Sequence, residues 1–316
     1  MNDDAAAGKV AIIGAGLIGR SWTALFARAG LEVSVWDPDE SVRAGFVDDI
    51  ATLAGGMARE GLMDDPDRAV ARVTVASTLE EAVAGAGFVQ ENGPEDREVR
   101  IDLFARLDRA AEEDAVLASS TSAIVPSLFT EALPGRHRCL VGHPVNPPHL
   151  VPVVELCPAP WTEPKAMDRA EALYARIGQS PVRMTREMEG FVLNRLQGAL
   201  LSEAMRLLGE GVVSVEGLDA TIRDGLGLRW VLMGPIETVD LNAPGGIEDY
   251  MARYAGFYRR LAEDPPGPGV YAPENAARVV ESWPQGRTPE AIRRRQDLRD
   301  ARLAALRRHL RDTPKL

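Results

Sequence analysis

Between Lys9 and Ile13 the chain runs through apolar, β-forming residues. After Gly14-Ala15-Gly16-Leu17-Ile18-Gly19 the apolar positions Trp22, Leu25, Phe26 and Ala29 recur at helical spacing. Gly30 stops that helix, and Leu31 to Trp36 alternates and then runs apolar as a second strand. Strand, glycine turn, helix and strand make one βαβ unit, which predicts a parallel sheet. The rhythm continues more weakly, with strands at Arg72–Ala76, Phe88–Gln90 and Ala115–Ser119 and a helix from Glu95 to Ala111. Cys139–Gly142 and Val151–Leu156 are two further strands joined by a turn rich in proline, and Val182–Met184 closes the sheet. The expected fold is α/β: an N-terminal Rossmann-type, doubly wound, mostly parallel sheet over residues 1–187.

Past residue 187 the period changes. Phe191, Leu193, Leu196, Leu200, Leu201, Ala204 and Leu208 mark a long helix that is apolar on more than one face. Ser214 stands where a helix cap would, and further helices are expected over Ile247–Leu261, Pro273–Ser282 and Pro289–Leu310, with a loop at Glu263–Ala272. Residues 188–316 therefore read as an all-α domain. A helix apolar on several faces in so small a domain has more surface to bury than one chain supplies, which predicts a homodimer through this domain.

A length of 316 residues suits two ordinary domains, and 45% hydrophobic with 26% charged residues is globular composition. The formal charge of −11 opposes non-specific binding to nucleic acid or to an anionic membrane. Lysine occurs only at 9, 165 and 315, a compositional bias rather than an arginine array built for phosphate; the arginines of the last helix read as a solvated or subunit-contacting face. Cys139 and Cys157 form neither a disulfide framework nor a metal-ligand spacing, so no metal is expected. The acidic, small N-terminal residues and the short apolar runs predict a cytoplasmic protein without a membrane span.

Gly14-x-Gly16-x-x-Gly19 follows a strand and opens a helix, and Asp37 ends the next strand 18 residues later. In such a unit the first glycine makes the tight turn, the second admits a pyrophosphate to the backbone, and the third lets helix pack on strand. The phosphates then meet the helix N-terminus at Leu17 and Ile18. Asp37 would accept from the ribose hydroxyls and repel a 2′-phosphate, and no arginine follows at once to reverse that choice, so the expected cofactor is NAD rather than NADP.

His143 and Glu155 are too far apart for one helix face, but on neighbouring strands they can face each other as a general base and its orienter; a histidine bonded to a backbone carbonyl fits the spacing equally well. Ser119, Ser120, Thr121 and Ser122 follow a strand's C-terminal end, where ligands bind in open α/β sheets, yet any of them can instead cap a helix from Ile124, Ser122 best of all. Asn194, polar among Phe191, Val192, Leu193 and Leu196, is either a paired core amide or a donor to ligand.

Together, Gly14 to Gly19, Glu95, Ser119-Ser120-Thr121-Ser122, Gly142-His143-Pro144-Val145-Asn146-Pro147, Glu155 and Gly190-Phe191-Val192-Leu193-Asn194-Arg195 resemble the 3-hydroxyacyl-CoA dehydrogenase superfamily over nearly the whole chain. Pro148, Gly225-Leu226-Gly227-Leu228-Arg229-Trp230 and Gly234-Pro235-Ile236-Glu237-Thr238 narrow the resemblance to its λ-crystallin / L-gulonate 3-dehydrogenase branch. The resemblance implies His143 as catalytic base, Glu155 as its partner, Ser122 and Asn194 as donors to the reacting oxygen, and Glu95 and Arg100 on the nicotinamide-ribose side. Arg100 departs from the lysine usual there.

Coenzyme A is a polyanion, whereas Asp37 to Arg68, where acyl-CoA members present a lysine-rich arm, carries three arginines against nine acids. A free 3-hydroxy acid needs a partner for its own carboxylate, and Arg229 can supply a bidentate clamp, unless it is a surface arginine beside a packed Trp230. The expected reaction is NAD-dependent oxidation of the 3-hydroxyl of a small free acid, as in L-gulonate 3-dehydrogenase. Carnitine, with Trp230 against its ammonium, ranks next, then a short-chain 3-hydroxyacyl-CoA. A non-catalytic, crystallin-like structural protein is the alternative of another class.

Overall fold

The computed structural model describes residues 8–313. Eight strands form one sheet: β1 (Lys9–Ile13), β2 (Glu32–Trp36), β3 (Val73–Val75), β4 (Phe88–Glu91), β5 (Val116–Ser119), β6 (Cys139–Pro144), β7 (Val153–Pro158) and β8 (Ser180–Arg183). Their order is β3-β2-β1-β4-β5-β6-β7-β8, with β7 antiparallel to β6 and every other neighbouring pair parallel. The doubly wound, mostly parallel sheet is thus realised, and its order reverses direction between β1 and β4, where open α/β sheets bind ligands.

Both faces of the sheet are covered, which is why its strands read as nearly continuous apolar runs. Val10 and Ile12 of β1 face one core together with Trp22, Leu25 and Phe26 of α1 (Leu17–Arg28). That core also takes Phe46, Ile50, Ala54 and Met57 of α2 (Glu40–Arg59). Ala11 and Ile13 point the other way and pack with a second core. α3 (Pro66–Val70) and α7 (Pro164–Arg176) add to the first core, and α4 (Leu79–Val83), α5 (Arg97–Ala110) and α6 (Ser127–Thr130) to the second. Asp39, Asp65, Thr78 and Asp96 cap α2 to α5 in turn, each accepting a backbone N–H of the first turn.

The described residues divide into two compact units, 8–193 with 299–308, and 194–298 with 309–313. Helix follows helix through the later chain: α8 (Leu193–Gly209), α9 (Val215–Ala220), α10 (Gly227–Trp230), α11 (Pro235–Asp240), α12 (Gly246–Ala262), α13 (Pro273–Ser282) and α14 (Pro289–Asp312). A π-helical stretch, Thr221–Leu226, joins α9 to α10, and Ser214 Oγ caps α9 by accepting from Gly217 N at 3.1 Å. The segment expected as a loop at Glu263–Ala272 holds one short 3₁₀ turn, Pro268–Tyr271. None of the side chains of α8 is buried in the single chain. Among the described residues no helix is long and apolar enough to cross a membrane.

Candidate active site

The turn after β1 shows what each glycine is for. Gly14 has φ +94°, and a Cβ there would lie 2.8 Å from Asn92 O; at Gly19 it would lie 1.9 Å from Gly14 O. At Gly16 it would meet nothing within 4 Å, which leaves an open cradle at the head of α1 for a phosphate. Asp37 ties this turn to the end of β2, because its Oδ2 accepts from Ala15 N at 2.8 Å and its Oδ1 from Asp39 N at 2.9 Å. A carboxylate accepts about four hydrogen bonds, so room remains for ribose hydroxyls. Beside Gly14 a slot of about 300 Å³ opens between Trp36, Pro38, Pro94, Val99, Leu103 and Arg106, walls suited to a flat base. Its α5 residues carry no sequence signal beyond helical spacing. Taken together, the cradle, the acceptor and the slot fit NAD.

His143 and Glu155 are direct partners in the antiparallel register of β6 and β7. His143 Nδ1 lies 2.8 Å from Glu155 Oε2, and both side chains are buried. The other carboxylate oxygen, Oε1, accepts from Val192 N and Leu193 N, each at 2.8 Å. The chain reaches those amides through Gly190 and Phe191, both at positive φ (77° and 47°), and the Phe191 ring stands 5.3 Å from the imidazole. Burial alone would raise the Glu155 carboxyl; the bond from His143 and the two amide bonds outweigh it and hold the group below the ordinary carboxylate range. An ionised acceptor at Nδ1 makes that nitrogen the donor and leaves Nε2 with a lone pair whenever the ring is neutral.

The four hydroxyl residues after β5 separate by partner. Ser119 Oγ donates to the buried Glu91 Oε2 at 2.5 Å. Ser120 Oγ accepts from Trp22 Nε1 and Gln90 Nε2 and donates to Asn92 Oδ1. Thr121 Oγ1 donates to Glu95 Oε1, and Ser122 N to Glu95 Oε2 at 3.0 Å. The alternative in which one of these residues, best of all Ser122, only caps a helix from Ile124 does not hold for Ser122. No helix starts there, because Pro126 precedes the short α6, and it is Thr121 Oγ1 that accepts from Ile124 N at 3.1 Å. Ser122 is instead exposed at the carboxyl edge of the sheet.

Arg100 is 1% exposed and its Nε lies 3.2 Å from Glu91 Oε2. Glu91 is a site residue that spacing does not disclose; the only hint is the polar pair Gln90-Glu91 ending an apolar strand. Asn194, half-buried in the first turn of α8, and Arg229, exposed on α10, belong to the second unit. Within that unit the Tyr250 hydroxyl is hydrogen-bonded to that of Tyr258 at 2.7 Å. Burial pushes the thiols of Cys139 and Cys157 up to about 12, so neither is a nucleophile at neutral pH. Among the described residues no group of three or more His, Cys, Asp or Glu side chains is placed to hold a metal ion.

A doubly wound sheet with this glycine turn and acidic ribose acceptor, and a His–Glu pair on its strands β6 and β7, defines an NAD-dependent dehydrogenase. The chain belongs to the 3-hydroxyacyl-CoA dehydrogenase family: the family model of the NAD-binding domain matches residues 9–188 and that of the C-terminal domain residues 190–281. It is 38% identical over 317 residues to lambda-crystallin of Oryctolagus cuniculus, covering 96% of this chain and 98% of that one. To an L-carnitine dehydrogenase of Streptomyces griseus it is 43% identical over 252 residues, 78% of this chain and 73% of the relative. Among solved structures, 5-formyl-3-hydroxy-2-methylpyridine 4-carboxylic acid 5-dehydrogenase, an NAD+-dependent dismutase, superposes with a TM-score of 0.83 at 28% identity, over 98% of this chain and 100% of that one.

Proposed function

We propose that this dehydrogenase oxidises the 3-hydroxyl of a small free 3-hydroxy acid, such as L-gulonate, to the 3-keto acid. The observation that carries the chemistry is the buried His143–Glu155 pair with its second carboxylate oxygen fixed by two backbone amides. NAD, when bound, takes the hydride from the carbinol carbon. His143 Nε2 accepts the hydroxyl proton, Nδ1–H stays on Glu155, and the carboxylate stabilises the imidazolium that forms. Ser122 and Asn194 donate to the substrate oxygen as it becomes a carbonyl. Oxidation starts from neutral His143 and reduction from its imidazolium, so the oxidation optimum lies at the higher pH.

Charge supports a free acid over a CoA ester. The α2–α3 stretch is acidic, and of its three arginines Arg43 already donates to Asp37 O at 2.6 Å. Arg229 would clamp the substrate carboxylate. Identity to L-carnitine dehydrogenases favours a second reading, in which Trp230 faces a quaternary ammonium. We further propose a cytoplasmic homodimer. Its location is supported by two buried thiols left unpaired, and its assembly by apolar side chains that one chain leaves open in the helical unit, Leu196 and Leu228 at 64% and 65% among them.

The test is NADH formation at alkaline pH from L-gulonate, L-3-hydroxybutyrate, L-carnitine and 3-hydroxybutyryl-CoA, with NADP in parallel. A free acid with NAD is expected to be fastest, and Arg229→Met to raise KM for that acid far more than for NAD. Activity confined to the CoA ester would overturn the proposal.

A further inference from the structure

Arg100 lies in the first turns of α5 with its guanidinium closed off from solvent; Nε and Nη2 are hydrogen-bonded, and Nη1, which makes no hydrogen bond, has the Glu95 carboxylate as its ion-pair neighbour. Nε faces Glu91 Oε2 at 3.2 Å, Nη1 faces Glu95 Oε1 at 3.6 Å, and Nη2 donates to Pro94 O at 2.9 Å. Glu91, itself 1% exposed, also accepts from Ser119 Oγ and from Gly93 N, so it anchors the end of β5 and the turn after β4 at once. Glu95 reaches the other way and accepts from Thr121 Oγ1 and Ser122 N. One cation therefore joins two carboxylates that between them hold both ends of the Ser119–Ser122 segment.

We propose that Arg100 is a positioning residue that sets the place of Ser122, acting through Glu95 on one side and Glu91 on the other rather than by touching cofactor or substrate. A planar fork is suited to this, since it meets two carboxylates and a carbonyl from one rigid group, whereas a lysine offers a point charge on a flexible stem. Removing the charge would leave Glu91 buried without its cation and free Glu95 to turn toward water. A donor displaced by about 1 Å from a reacting oxygen loses much of its effect on the transition state. The inference rests on Ser122 being the donor proposed above.

A double-mutant cycle tests it, with Ser122→Ala, Arg100→Lys and the combination, assayed on the fastest acid of the four-compound panel and by fluorescence titration with NADH. Arg100→Lys keeps a charge in the buried site and so protects folding; Arg100→Met is the more severe companion. Arg100→Lys is expected to lower kcat about tenfold, with Arg100→Met lower still and Arg100→Lys recovering part of the loss, while the dissociation constant for NADH moves less than about threefold. In the Ser122→Ala background the same lysine change is expected to cost less than about twofold. A loss that multiplies fully in that background, an unchanged kcat in Arg100→Lys, or weakened NADH binding with kcat kept would each overturn the role of Arg100. Wild-type turnover in Ser122→Ala alone would instead overturn the reading of Ser122, and with it this proposal.

Discussion

Glu155 uses its two oxygens in different directions, one on the imidazole of His143 and one on the amides that open α8. A carboxylate bound on both sides cannot rotate without breaking three bonds, so it holds the His143 ring in one orientation and one tautomer. Replacing His143 by Gln keeps a hydrogen-bonding group next to Glu155 but removes the proton acceptor. Turnover is expected to fall on the order of 10²- to 10⁴-fold while NADH binding stays within about twofold, measured by steady-state kinetics and fluorescence titration; near-normal turnover would refute the assignment. The twelve-residue spacing alone leaves a structural histidine equally open, because spacing does not say whether the strands pair in a register that puts the two side chains opposite. Glu91 and the sorting of Ser119 to Ser122 are likewise invisible in one dimension, since their partners, Trp22, Asn92, Glu95 and Arg100 among them, lie on other segments of the chain. Gly14, Gly16, Gly19 and Asp37, in contrast, sit in one local motif whose geometry is set by the turn itself, and so can be read directly.

At the scale of elements, the hairpin between β6 and β7 carries His149, whose Nδ1 is 3.0 Å from Ser21 Oγ on α1. Burial lowers the imidazole to about 4; the charge of Asp300 opposes that, and those of Arg28, Arg307 and Arg299 add to it. The folded protein therefore keeps His149 neutral in a range where the unfolded chain, with an ordinary value near 6.5, takes up a proton. Stability is expected to be full above about pH 6.5 and to decline as the pH falls towards 4, by up to about 3 kcal/mol from this one group. Urea midpoints measured at several pH values should show that slope, and His149→Gln should flatten it; an unchanged slope would argue that other groups carry the acid limb. The hairpin is legible in its prolines, and so are the strands in their largely apolar runs. α2 and α7 are not visible in a pass for apolar periodicity. Their buried stripes include Ala54 in α2 and Ala166 and Ala170 in α7, small residues that weigh little beside leucine.

For the whole molecule, the doubly wound, mostly parallel sheet and the change to helices follow from the chain's own rhythm, and the assembly is what one chain cannot display. Leu232, Ile236, Leu241 and Leu261 are each more than half exposed in the single chain, in addition to Leu196 and Leu228. Water contact over so many large apolar side chains is unfavourable by roughly 25 cal/mol per Å², which a second copy would relieve. Light scattering at micromolar concentration is expected to give about twice the 34.2 kDa of one chain. A mass equal to one chain would refute the dimer.

Residues 299–308 of α14 belong with the first unit, where Arg307 donates to Leu150 O and Arg308 to Glu60 O. The dinucleotide-binding half is thus split in sequence, with its last piece encoded after the whole of residues 194–298. During synthesis the sheet emerges from the ribosome first, but the hairpin carbonyl of Leu150 and the end of α2 wait for arginines that follow them by 157 and 248 residues. A gene truncated after residue 193 would encode every strand and still deliver an unfinished domain, and a sequence insertion anywhere in 194–298 would lengthen the delay before that domain is complete.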